Sequence, residues 1–171
     1  IEADAVSWPR GRNLCRVVSG DSFRDWRNSS AATSGHADFA IDLACVSDED
    51  NARRVAEGIL ALATISGARV FIDPLTDFDR TLDVTRGLID TRCNPRPAMT
   101  VVRTLGTILF SGKEHWSVTS YEPVSIESEK RRLILGNEVP GAETYYGLIS
   151  GTVCASAGEL CDELVLAEVP V

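Results

Sequence analysis

What this chain lacks narrows it first. No apolar run approaches the roughly 20 residues that cross a bilayer, so a soluble protein is expected, with the cytoplasm as the favoured compartment. Positive charge is in deficit. The 17 Lys and Arg against 25 Asp and Glu leave a formal net charge of −8, a field that repels phosphate backbones and argues against nucleic-acid and anionic-membrane partners. The five cysteines (Cys15, Cys45, Cys93, Cys154 and Cys161) contain no Cys-x-x-Cys pair and are odd in number, which argues against a dense disulfide framework. Cys45 reads as a small buried thiol in an apolar strand. Cys154 and Cys161 could bridge in an oxidising compartment. Neither standard Gly-rich phosphate loop nor a Gly-x-Ser-x-Gly elbow occurs. The two histidines, His36 and His115, stand outside metal-ligand spacing and read as solvated loop residues. No cofactor and no metal are expected.

What is present is a strand, helix, strand pattern. Residues 39–46 and 68–73 are apolar along most of their length, and each carries an aspartate near its C-terminal end, Asp42 and Asp73. Between them Ser47-x-x-Asp50 forms a capping box, and Asp48, Glu49 and Asp50 suit the positive end of a helix dipole. Val55, Ile59, Leu62 and Ala63 make one apolar stripe, and Gly67 ends the helix. This is a βαβ unit. A further strand is expected at residues 14–18, followed by a polar turn at 19–22, and the Ser-, Ala- and Thr-rich residues 28–35 read as a loop.

After Asp73-Pro74 the composition predicts a loop of about twenty residues, long for a compact domain and therefore functional or disordered. Asn94-Pro95-Arg96-Pro97 then opens a second helix, whose buried face is Val101, Leu105, Ile108 and Leu109, and Ser111-Gly112 stops it. Beyond Trp116 the pattern shifts to period two, with strands expected at residues 116–121, 131–135, 144–149 and 164–169. Two domains follow from this, residues 1–112 and residues 113–171.

The strand ending in a carboxylate, the acidic helix start, the string Gly67-Ala68-Arg69-Val70-Phe71-Ile72-Asp73 and then Gly87-Leu88-Ile89-Asp90 before Asn94-Pro95-Arg96-Pro97-Ala98 resemble the last two βα units of a (β/α)8-barrel glycoside hydrolase. The resemblance implies an α/β fold: the C-terminal part of a (β/α)8 (TIM) barrel followed by a small antiparallel β region, a partial β-sandwich. It also implies a fragment of a longer protein, with self-association through unpaired sheet edges. Carried over by position, Asp42 takes the place of the catalytic nucleophile, where that family has a glutamate. Retaining hydrolysis sets its two carboxyl groups about 5–5.5 Å apart, and aspartate shortens one arm. No strand supplies the acid/base partner that the reaction requires, so the isolated chain is expected to be inactive.

The site read from the sequence therefore has Asp42 as the catalytic position. Asp73, Asp77, Asp79 and Arg80 contact a carbohydrate substrate or shape its rim. For Asp42 the competing reading is a carboxylate that accepts backbone N–H groups near the helix start. For the Asp73 to Arg92 stretch it is an Asp–Arg network pinning the loop, such as Asp79 with Arg86 or Arg92. Trp8, Trp26 and Trp116 could stack on sugar rings, though core or interface packing is the commoner use of a tryptophan. Three rival functions stand beside the carbohydrate-active hydrolase-like reading: a non-catalytic carbohydrate-binding barrel, a sugar-acid lactonase or isomerase, and a small α/β interaction module.

Overall fold

The computed structural model describes residues 6–7, 13–17, 37–43, 47–80, 83–110, 113–160 and 163–171. The expected turn at 19–22, the loop at 28–35, Trp8, Trp26, His36, Cys45, Cys161 and the helix stop at 111–112 lie outside them. The described elements run β1 (Val6–Ser7), β2 (Asn13–Val17), β3 (Ala37–Asp42), α1 (Asp48–Leu62), β4 (Arg69–Asp73), β5 (Phe78–Arg80), β6 (Asp83–Thr85) and α2 (Pro97–Phe110). There follow β7 (Ser117–Tyr121), β8 (Val124–Glu127), β9 (Arg131–Leu135), β10 (Thr144–Gly147), β11 (Val153–Cys154) and β12 (Val165–Pro170).

Helix α1 begins where a side chain satisfies its free N–H groups. Ser47 Oγ accepts from Glu49 N at 3.1 Å and Asp50 N at 3.3 Å, a cap that contributes about 1 kcal/mol. The buried face includes Val55 and Leu62 but spreads to Asn51, Ala52, Ala56, Gly58, Leu60 and Ala61, because α1 touches β3 on one side and β8 on another. Gly58 permits the first approach: a Cβ there would lie 2.6 Å from Ile41 Cδ1. The helix itself ends at Leu62, and Gly67, at a φ of 72°, completes the turn into β4. Helix α2 starts on Pro97, where a missing N–H leaves no bond unmade, and buries Ala98, Val101, Leu105, Ile108 and Leu109.

Two main sheets carry these helices. The first has the order β1-β2-β3-β4, with β1 antiparallel to β2 and with β2, β3 and β4 parallel. The second has six antiparallel strands in the order β11-β10-β12-β9-β8-β7. One core joins them: Phe39, Ile41 and Leu43 from β3 and its end, Val55 and Leu60 from α1, Val101 and Leu105 from α2, and Ile126, Leu133 and Leu166 from the second sheet. A smaller cluster of Tyr145, Leu160, Val165 and Ala167 covers part of the second sheet's other face.

The expectation of a partial (β/α)8 barrel is corrected by this architecture. Among the described residues there are two α-helices, a small sheet with an antiparallel strand at one edge, and a six-stranded antiparallel sheet that holds half of the strands. A barrel repeats strand and helix around a closed ring. Here β3-α1-β4 is a βαβ unit, but α2 packs on α1 and leads into the antiparallel sheet. The periodicity of one βαβ unit is a local signal shared by many α/β folds, and the resemblance had extended it to a global one.

The expected long loop after Asp73 is also different. Ile89 N–H donates to Leu75 O at 3.0 Å, Asp77 N–H to Ile89 O at 3.1 Å and Arg96 N–H to Leu88 O at 2.9 Å, while β5 and β6 pair as a ribbon. Residues 74–80 and 83–96 thus form a laced excursion. Gly87 is needed there, since a Cβ would run into the Thr76 backbone.

Candidate functional site

The ends of β3 and β4 bring Asp42 and Asp73 directly opposite each other as paired positions in the parallel register. The ladder continues one residue further, with Leu43 N–H donating to Asp73 O at 2.8 Å. Side chains alternate along a strand. Phe39, Ile41 and Leu43 are fully buried against the helices, so Asp38, Ala40 and Asp42 occupy the other face, together with Arg69, Phe71 and Asp73 of β4. Asp42 is half-buried and Asp73 exposed. Arg54 Nη1 donates to the Asp42 carbonyl at 2.9 Å, bringing a cation beside the strand end. The register thus sets Asp42 and Asp73 side by side on that face, at the C-terminal ends of two neighbouring parallel strands.

Asp77 is placed differently. Its carboxylate accepts from Gly87 N at 2.8 Å, from Arg96 Nε at 2.8 Å and from Arg96 Nη2. The Arg96 guanidinium and the Gly87 N–H hold it below the usual carboxylate range despite its burial. Arg96 also bonds Asp48 in the first turn of α1 at 3.1 Å, and Arg86 reaches the same Asp48 oxygen at 2.9 Å. Asp48, Arg96, Asp77 and Arg86 therefore lace the excursion after β4 to the start of α1. An Asp–Arg network pins this stretch, built from Asp77, Asp48, Arg86 and Arg96. Asp79 and Arg80 lie in β5, paired with Val84 and Asp83 of β6; their side chains lie outside the described residues. Asp90 accepts from Arg92 N, Asn94 N and Asn94 Nδ2, each at 2.8 Å, and closes the turn before α2. Asn94 holds the Asp90 carboxyl below its ordinary value.

A second charged cluster joins α2 to the six-stranded sheet. Arg131 donates to Glu114 Oε2 at 3.2 Å, Glu168 Oε2 at 2.8 Å and the Ile108 carbonyl at 3.1 Å, and lies 5.5 Å from the centroid of the buried Trp116 ring. Burial works to raise the Glu114 carboxyl, yet hydrogen bonds from Arg131 and Ser128 bring it below its ordinary value. Burial, reinforced by the bond to Glu168, pushes the Tyr146 hydroxyl up to about 12. Trp116 is a core residue and His115 is exposed. Arg96, Arg131 and Asp48 were not singled out as network residues from the sequence. Their partners are distant along the chain; Asp48 lay in the acidic helix start and Arg96 beside the helix-opening prolines, and neither motif pointed to the other.

Among the described residues no group of three or more His, Cys, Asp or Glu could hold a metal ion, and no helix is long and apolar enough to cross a membrane. No protein-family model matches the chain, and no curated protein matches its sequence. The glycoside-hydrolase resemblance is corrected on the same grounds: the barrel that carried it is not the observed architecture, and no family match replaces it.

Proposed function

We propose that the strand ends carrying Asp42 and Asp73 hold a hydroxyl-rich ligand, a sugar in the first place, and bind it without turnover. The single observation behind this reading is their opposed register at one end of neighbouring parallel strands, the end where open α/β sheets place their ligands. Two adjacent carboxylates can accept charge-assisted hydrogen bonds from vicinal hydroxyls. Turnover would need a carboxyl that holds and releases a proton. Asp77, the nearest candidate along the chain, is kept ionised by Arg96 and serves to fix the rim. The free thiols of Cys93 and Cys154 suit a reducing compartment such as the cytoplasm.

The test is calorimetric titration with a panel of monosaccharides and short oligosaccharides. Binding by the native chain is expected, weakened about tenfold or more by Asp42→Asn or Asp73→Asn, with no release of reducing ends. Absence of binding across the panel, or binding that both substitutions leave unchanged, would overturn the reading.

A further inference from the structure

Strand β4 is terminal in its sheet among the described residues, and it is an unusual edge. Such strands are commonly guarded by proline, lysine, a bulge or a covering segment. β4 reads Arg69-Val70-Phe71-Ile72-Asp73, pairs with β3 without interruption, and leaves Val70 38% and Phe71 48% exposed. The direction of its backbone groups follows from one bond. Leu43 N–H donates to Asp73 O, so Asp73 turns its carbonyl toward β3, and by alternation so do Phe71 and Arg69. Val70 and Ile72 therefore present their N–H and C=O groups at the open edge.

We propose that this edge pairs antiparallel with β4 of a second copy, about a twofold axis through Phe71. The segment is chemically self-complementary: a cation, three apolar residues and a carboxylate. Reversing it against itself sets Arg69 opposite Asp73 of the second copy, Val70 opposite Ile72, and Phe71 opposite Phe71. The backbone parity agrees. Val70 and Ile72 exchange N–H and C=O bonds across the axis in both directions, and Phe71 falls at a non-hydrogen-bonded pair, where side chains stand closest. The Asp38 pair uses two of the Arg69 donors out of the five that a guanidinium carries, leaving Arg69 able to engage a second carboxylate. In the dimer that cation stands beside Asp73 of the second copy. An isologous contact of this kind closes on itself and joins two four-stranded sheets into one. Five-residue edges bury less than the about 1,200 Å² of a standard stable interface, so the dimer is weak and concentration-dependent.

Sedimentation velocity of the full chain from about 5 to about 200 μM, the range in which such small contacts fall, tests the proposal. A monomer–dimer equilibrium is expected. Phe71→Asp, which places two carboxylates on the axis, and Val70→Pro, which removes an edge donor without touching the β3 ladder, should each weaken it about tenfold or more. Circular dichroism confirms that the variants are folded. Should either be unfolded, Phe71→Cys keeps the register testable: mild oxidation should join two copies of that variant by a disulfide at the axis, which Val70→Cys and the native chain do not form. A monomer throughout the range, a dimer indifferent to both edge substitutions, or equal crosslinking from positions 70 and 71 would overturn it. Assembly that appears only with a different strand-bearing partner would overturn it as well.

Discussion

The two sheets of this molecule use their carboxylates in opposite ways. In and around the six-stranded sheet each half-buried acid described ends on a donor from the same chain: Glu114 and Glu168 on Arg131, Glu127 on Arg132, and Glu163 on the N–H groups of Ile149 and Ser150. In the four-stranded sheet the acids at the strand ends, Asp42 and Asp73, stand at neighbouring register positions. Asp38 lies between these cases. It shares a face with Asp42 but is buried and bound through both oxygens by Arg69. An acid paired with an arginine fastens one element to another, whereas the proposed ligand site rests on two acids that neighbouring parallel strands place side by side.

Substitutions sharpen that contrast in graded steps. Arg131→Ala should have the largest effect, about 3 kcal/mol of lost stability, because it removes the guanidinium from two partly buried glutamates and a donor from a helix-terminal carbonyl; denaturant unfolding measures it. Arg96→Ala should cost about 2 kcal/mol by leaving the Asp77 carboxylate, whose side chain is 10% exposed, without its guanidinium. Amide exchange at Asp77 and Ile89 should quicken in step. Ser47→Ala should cost about 1 kcal/mol through the lost cap. Asp73→Asn, at an exposed position, should stay within about 0.5 kcal/mol of the native chain while losing the ligand.

Titration divides the regions too. Asp77, Asp90 and Glu114 are all held below their ordinary values. Their contribution is therefore complete above the unfolded carboxylate range, near pH 4, and is lost as pH falls through the lower folded values. Unfolding midpoints should drop on acidification below about pH 4, and Arg96→Ala should flatten that slope. Tyr146 behaves in the reverse sense. Raised to about 12, it contributes fully below its unfolded value near 10 and loses that contribution as pH rises toward 12.

Local signals made much of the chain legible. The cap at Ser47, the proline start at Pro97 and the period-two run at Arg131–Leu135 each depend on neighbours within a few residues. The common end of Asp42 and Asp73 followed from two apolar strands separated by a helix. Strand β11 went unread because two residues are too few to establish alternation, and β8 because its first three residues are all buried and do not alternate. The Arg131 and Arg96 networks were hidden for another reason. Arg131 meets Glu168 and Arg96 meets Asp48 across 37 and 48 residues of sequence, and nothing in either local string selects one partner among many acids. The barrel failed in the same way, since closure of a ring is a long-range property that one βαβ unit does not encode.

Chemical-shift mapping of backbone amides during a sugar titration tests the central assignment most directly. Expected are saturable shifts at residues 40–43 and 71–73, with the amides around Trp116 and Arg131 unmoved. Shifts confined to the Trp116–Arg131 region, or none at millimolar sugar, would contradict a ligand site at the ends of β3 and β4.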